Sequence, residues 1–343
     1  MRKWIRLFIL PFCVSVGLAA TQAVADAARL GLTSTPKSLP PWLFYDAPGS
    51  RLFEQITTLP EYYLTRTERA IFAAHADEIV KIAAGNDTQT LTLIELGAGA
   101  ATKTGLLLAA AVRQQGSVVY QPVDVSETAL ARATENILAN IPGVTVRVQV
   151  ADYTTEPLPL NRLPDTRTLA LYIGSSIGNF TPHDAQEVLR NLRAQLLPGD
   201  TLLLGVDLGV SQYKDVATLL AAYNDAAGIT AAFNLNLLTR LNRDLGANFN
   251  PAAFRHQALW NPTESRIEMH LESLTAQRVH IPENSTGPTL TLDFARGETI
   301  HTENSYKFTP AIVETLLNAA SFQPTKSWQD PHHLFAVTLA TAI

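Results

Sequence analysis

Cysteine is almost absent from this 343-residue chain, Cys13 being the only one. A single thiol excludes a disulfide framework and any zinc site built on cysteines. Charge is also scarce, at 17 % of residues against roughly 25 % in an average soluble domain. With 26 Lys+Arg against 31 Asp+Glu the formal balance is −5, so nucleic acid is excluded as the main partner. The eight histidines show no H-E-x-x-H or comparable ligand spacing. Their one adjacent pair, His332–His333, reads as a turn, and no metal site is expected. Long apolar runs are missing too: Leu7 to Ala20 is shorter than the ~20 residues of a spanning helix and is interrupted by Pro11, so stable membrane insertion is not expected. What the chain does have is 46 % hydrophobic residues, enough for a sizeable core in one large or two modest domains.

Residues 1–25 form a signal-like or extension segment. Arg2, Lys3 and Arg6 precede the apolar run, and Ala23-Val24-Ala25 before Asp26 resembles a cleavage site. A lipoprotein anchor is disfavoured because bulky Phe12 precedes Cys13. A helix at the N-terminus and an upstream start that overextends the chain are the alternatives.

From Leu91 onward strands alternate with helices, the rhythm of an α/β fold with a parallel sheet covered on both faces. Strands are expected at Leu91–Leu96, Ser117–Val123, Val144–Val150, Thr168–Ile173 and Leu202–Val206. Helices are expected from about Lys103 to Arg113, from Ser126 (as N-cap) to Leu138, and from about His183 to Leu197, opened by Pro182. The beat then stops. Asp215–Leu241 reads as mainly helical, and Arg266–Val279, Thr289–Phe294 and Thr299–Phe308 as strands. A helix at Pro310–Ala320 and strands at Thr325–Gln329 and Leu334–Leu339 close the chain.

The sharpest local signal is Glu95-Leu96-Gly97-Ala98-Gly99-Ala100-Ala101-Thr102-Lys103. A G-x-G turn at a strand's end lets backbone N–H groups approach a ligand closely. Thr102 stands where a dinucleotide fold places its third glycine, which favours a cofactor without a pyrophosphate. Asp124 ends the second strand, where a carboxylate can accept ribose hydroxyls. Asp152 follows the third, with Tyr153 able to stack on an adenine face. Each of these also has a bland reading, as a tight turn, a helix cap or a surface turn; together at three consecutive strand ends they are much stronger.

Further runs carry a specific resemblance. They are Pro36-Lys37-Ser38-Leu39-Pro40-Pro41, Phe44-Tyr45-Asp46, Gly49-Ser50-Arg51-Leu52-Phe53 and Leu59-Pro60-Glu61-Tyr62-Tyr63-Leu64-Thr65-Arg66-Thr67-Glu68. Later come Gly174-Ser175-Ser176-Ile177-Gly178-Asn179-Phe180-Thr181-Pro182, Ala222-Tyr223-Asn224-Asp225-Ala226-Ala227-Gly228, Arg266-Ile267-Glu268-Met269 and Thr302-Glu303-Asn304-Ser305-Tyr306-Lys307-Phe308. From about Ala27 onward the chain resembles the histidine-specific methyltransferases of ergothioneine biosynthesis. That resemblance implies a class I methyltransferase sheet, Rossmann-like, with an inserted α+β substrate-binding domain. The cofactor domain would comprise 66–213 and 308–343, and the substrate domain 26–65 and 214–307. It implies S-adenosylmethionine as co-substrate and three successive methyl transfers to the α-amine of L-histidine, giving hercynine.

Residue by residue, the resemblance assigns Gly97, Lys103, Asp124, Asp152 and Tyr153 to the cofactor, and the G-x-G turn adds Gly99. Tyr45, Tyr62, Gly174, Asn179, Tyr223, Met269, Glu303 and Ser305 go to the amino acid, with Tyr45 and Asn179 nearest the chemistry. Asn179 would orient the amine, and Tyr45 is read as positioning it in preference to acting as a base, since a phenol titrates near ~10. Tyr62 and Tyr223 suit the carboxylate. Glu303 and Ser305, two apart on a strand, would address the imidazole nitrogens. The alternative is an N-methyltransferase for another aromatic amino acid, such as tryptophan or a derivative. The expected partner is a small-molecule amino acid, the expected state a monomer. The expected location is the cytoplasm, where S-adenosylmethionine is made, with export through the N-terminal segment as the alternative.

Overall fold

The computed structural model describes residues 12–85, 90–99, 101–154, 160, 165–283 and 287–343. Residues 1–11 of the signal-like segment, Ala100 of the glycine loop and residues 284–286 lie outside the described set. In chain order, α1 (Phe12–Thr33), β1 (Lys37–Ser38), α2 (Ala47–Ile56) and α3 (Tyr63–Ala84) precede β2 (Thr90–Leu96). Next come α4 (Gly105–Gln115), β3 (Val118–Asp124), α5 (Glu127–Asn140), β4 (Val144–Val146), β5 (Gln149–Val150), β6 (Thr166–Tyr172), α6 (Pro182–Arg193) and β7 (Thr201–Asp207). They are followed by α7 (Val216–Ala222), α8 (Ile229–Leu245), β8 (Phe254–Asn261), β9 (Arg266–Ser273), β10 (Gln277–Ile281), β11 (Leu290–Phe294) and β12 (Thr299–Tyr306). The chain closes with α9 (Pro310–Ala319), β13 (Phe322–Gln329) and β14 (Phe335–Ala342).

The chain divides into two compact units. The smaller comprises Met1–Phe44, Asn234–Gln257 and His270–Glu303; the larger comprises Tyr45–Phe233, Ala258–Met269 and Asn304–Ile343. These limits are not those drawn from sequence, which followed the strand–helix beat. Compactness assigns Tyr45–Thr65 and Lys214–Phe233 to the larger unit.

The larger unit is organised on an eight-stranded sheet in the order β13-β14-β7-β6-β2-β3-β4, with β5 also paired to β3. β2 runs parallel to both β3 and β6, aligning Leu93 with Tyr120 and with Leu169. Only β14 reverses: it is antiparallel to β7 and to β13, which leaves β13 running in the direction of the other strands. Every residue of β7 is buried, as expected of a central strand covered on both faces. One continuous cluster joins Ile94, Val123, Ala170, Leu189, Leu204, Leu317, Ala336 and Ala340 across the sheet and its helices. The architecture is α/β and Rossmann-like, and it places the C-terminal ends of β2, β3 and β6 side by side, where open parallel sheets bind ligands.

In the smaller unit, Gly31 of α1 lies so close to β1 that a Cβ there would sit 2.0 Å from the Ser38 carbonyl oxygen. Arg29 donates to the Gly287 carbonyl, and β10 and β11 form an antiparallel hairpin. Ala23-Val24-Ala25 lies within α1, with Val24 and Ala25 buried. No helix among the described residues is long and apolar enough to cross a membrane. A four-stranded sheet, β1-β12-β9-β8, completes the topology; the unit boundaries fall inside β8, β9 and β12.

Three local expectations change. Val144–Val150 is two short strands, both paired to β3 in one register, with a gap at 147–148 between them. The helical stretch from Asp215 is broken before α8, whose first N–H groups at Ile229 and Thr230 are capped by Asp225. Arg266–Val279 ends as β9 at Ser273 and resumes as β10 at Gln277.

Candidate active site

At the end of β2 the chain turns with φ of +66° at Gly97 and +50° at Gly99, conformations that glycine adopts without strain. The Gly97 N–H donates to the Val123 carbonyl at 2.8 Å, tying the loop to β3. The Asp124 carboxylate accepts the Gly99 N–H at 2.9 Å on one oxygen and the Ser126 N–H at 2.8 Å on the other. Burial raises the Asp124 pKa in spite of these bonds. Underneath, buried Glu95 accepts hydrogen bonds from the Thr104 and Tyr120 hydroxyls, and desolvation pushes its pKa up to about 7. Tyr153 sits beside the glycine turn: a Cβ on Gly97 would stand 3.2 Å from its hydroxyl. Burial pushes this phenol up to about 12. Its ring meets Tyr172 edge-on at 5.7 Å, and Asp152 turns back to accept the Thr154 N–H at 2.9 Å.

Lys103 reaches away from the loop to pair with Glu68, a fully buried carboxylate on α3 that also accepts the Gly174 N–H at 2.9 Å. Gly205 on β7 makes room for it, since a Cβ there would lie 2.1 Å from Glu68 Oε1. Lys103 and Gly174 are thereby brought together through a residue to which the sequence assigned no role. Gly174 leads into a 3-10 turn, Ser176–Asn179, that ends on half-buried Asn179. Gly178 within it approaches the Tyr306 carbonyl so closely that a Cβ would come within 2.9 Å.

A separate chain of aromatic rings lies in the larger unit. Tyr45 packs edge-on against Phe53 at 5.6 Å and Phe233 at 5.9 Å, and Phe53 leads to Tyr62 at 6.3 Å. Tyr62 in turn meets Tyr223 edge-on at 6.2 Å. The Tyr223 hydroxyl lies 2.7 Å from Ser305 Oγ. Met269, on β9, is buried, and Glu303, the last residue of the smaller unit, is buried on β12 two positions before Ser305.

Behind Tyr223 and Ser305 is a wholly buried ionic cluster. Lys307 Nζ bonds Ser305 Oγ at 2.7 Å, the Tyr223 oxygen at 3.0 Å and Asp207 Oδ2 at 2.9 Å. Lys214 pairs with Asp207 Oδ1 at 2.7 Å, and the Tyr63 hydroxyl donates to the same carboxylate at 2.8 Å. Burial lowers the Lys214 pKa against the pull of Asp207, and raises that of Tyr63 well above the usual phenol value.

Residues 24–342 match the family described as histidine-specific, S-adenosylmethionine-dependent methyltransferases. The chain belongs to this family. It is 44 % identical over 323 residues to a histidine N-alpha-methyltransferase of Mycolicibacterium smegmatis, covering 94 % of this chain and 96 % of that one. A histidine N-alpha-methyltransferase of Mycobacterium tuberculosis is 41 % identical, with 90 % and 92 % covered. An L-tryptophan methyltransferase of Psilocybe serbica is 26 % identical, with 92 % and 91 % covered.

As a member of this family the chain is a methyltransferase with S-adenosylmethionine as co-substrate. The strand-end residues suit that molecule. A Cβ on Gly99 would meet nothing within 4 Å, so the turn is open there. Asp124 accepts the backbone N–H groups of Gly99, Ser126 and Val125, and a carboxylate offers about four acceptor positions, which leaves capacity for a ribose hydroxyl. Sequence reasoning missed Glu68, Asp207, Lys214 and Lys307 as parts of the site. Glu68 and Lys307 were each inside a recognised run; Asp207 and Lys214 carried no local signal.

Proposed function

We propose that this enzyme transfers methyl groups in succession from S-adenosylmethionine to the α-amine of L-histidine, yielding hercynine, the first step of ergothioneine biosynthesis. The observation that carries the reading is the buried hydrogen bond between Tyr223, at the end of α7, and Ser305, which shares β12 with buried Glu303. An imidazole presents both a hydrogen-bond donor and an acceptor to such groups, which an apolar aromatic ring does not. Identity above 40 % with two histidine N-alpha-methyltransferases supports it.

S-adenosylmethionine, when bound, supplies an electrophilic methyl and its own leaving group. The chain's residues have to bind, orient and dehydrate the acceptor. Gly97, Gly99, Asp124, Asp152, Tyr153 and Lys103 are assigned to the cofactor side, Lys103 also bracing Gly174 through Glu68. Asn179 orients the amine through its amide oxygen, and Tyr45, held edge-on by Phe53 and Phe233, positions it. Tyr62 donates to the substrate carboxylate, while Gly174 leaves room for the amino acid and Met269 forms wall. Ser305 and Glu303 address the imidazole. By this reading residues 66–213 and 308–343 serve the cofactor, residues 26–65 and 214–307 the substrate. A monomer in the cytoplasm, where its methyl donor is made, is part of the same proposal.

Incubation with S-adenosylmethionine and histidine, followed by mass analysis, should show one, two and three added methyl groups. Calorimetry showing tryptophan bound far more tightly than histidine would overturn the substrate assignment.

A further inference from the structure

Ser305 Oγ lies 2.7 Å from both Lys307 Nζ and the Tyr223 oxygen. Lys307 also reaches the Tyr223 oxygen and Asp207 Oδ2, so the three N–H bonds of its ammonium face three acceptors. Asp207 is held for this purpose from its other side by Lys214 and Tyr63. All six side chains are buried.

This arrangement determines the direction of the hydrogen bonds. An ammonium only donates, so Ser305 spends one lone pair on Lys307. Between Ser305 and Tyr223 the phenol is the stronger acid and therefore the better donor, and it fills the second lone pair of the serine oxygen. A hydroxyl with both lone pairs filled has only its O–H to offer. We propose that Lys307, directly and with Tyr223, fixes Ser305 as a hydrogen-bond donor, so that the site demands an acceptor atom on the substrate side chain. Lys307 is then a specificity-determining positioning residue, and Tyr223 supports Ser305 instead of serving the carboxylate. The inference rests on the assignment of Ser305 to the substrate ring. Neutral imidazole supplies one nitrogen with a free lone pair, whereas indole offers only a donor.

The test compares L-histidine with 3-(2-thienyl)-L-alanine, whose ring is of similar size and carries no nitrogen. Binding in the presence of S-adenosylhomocysteine should favour histidine by about 100-fold in the unmodified enzyme. Lys307→Gln, which offers an acceptor as well as a donor, no longer forces the polarity. It should raise KM for histidine about ten-fold and shrink the preference by a similar factor. Affinity for S-adenosylhomocysteine should stay unchanged and kcat at saturating histidine should stay within about three-fold. Unchanged preference, or equal losses for both ligands, overturns the proposal. Ser305→Ala separates it from its premise. If Ser305→Ala abolishes the preference while Lys307→Gln retains it, Ser305 reads the ring and Lys307 does not set its polarity. If the unmodified enzyme shows no preference, the histidine reading itself fails. Should Lys307→Gln not fold, Lys307→Arg, which again only donates, must keep the preference; its loss there overturns the proposal equally.

Discussion

Glu95 and Asp207 are both buried acids at strand positions of the same sheet, yet they are answered by different chemistry. Glu95, beneath the glycine turn, is met by two neutral hydroxyls, from Thr104 and Tyr120. Asp207, behind Ser305, is met by two ammonium groups and a phenol. The first belongs to a region made of local backbone: a strand end, two glycines at positive φ, and a carboxylate that holds the turn. The second belongs to a region made of side chains drawn from residues 63, 207, 214, 223, 305 and 307. A backbone cradle needs shape and tolerates a neutral acid, whereas a region that sets hydrogen-bond polarity needs fixed charges and the partners to keep them buried.

Three experiments probe this contrast, from the largest effect to the smallest. Asp207→Ala leaves Lys214 and Lys307 buried without their shared carboxylate. Loss of one partner from a buried ionic group typically costs about 3–5 kcal/mol, so urea denaturation should show a large loss of stability. A loss no greater than that of a surface substitution would erase the distinction between the two acids.

Glu95 should reveal itself through pH. Its folded pKa, about 7, is above the 4.5 of an unperturbed glutamate. The folded state therefore binds more protons than the unfolded one between those values, and stability falls as pH rises from about 5 through 7. The full effect is about 3 kcal/mol by pH 9. Urea midpoints measured across this range should slope downward, and Glu95→Gln should flatten the slope; an unaltered slope would show that another group causes it.

Asp124→Ala removes the carboxylate that holds Gly99 and is assigned to the ribose. Hydrogen bonds to a charged group are worth about 1.5–3 kcal/mol, so calorimetry should find S-adenosylhomocysteine bound about 10–100-fold more weakly. Histidine affinity at saturating cofactor should change much less. Equal losses for both ligands would mean that the two regions are not separable.

The legible parts of the molecule were those with short-range causes. β2, β3, α5 and β7 were readable from periodicity, Ser126 caps α5 by accepting the Ala129 N–H, and the glycine turn was readable as a turn. Interruptions were harder. β4 and β5 pair with β3 in one register, so no shift of pattern marks the gap between them, and α8 restarts where Asp225 caps it. Glu68 was inside a run already noticed, yet nothing local tells that its carboxylate reaches Gly174 and Lys103.

The sequence by itself determined the fold class, the cofactor turn and the family, because strand–helix rhythm, glycine conformation and long residue runs are local properties of the chain. Tertiary structure alone decided which buried charges meet. Asp207 and Lys307 are a hundred residues apart, and two lysines and an aspartate can be buried together only when the fold brings their opposite charges within hydrogen-bond distance.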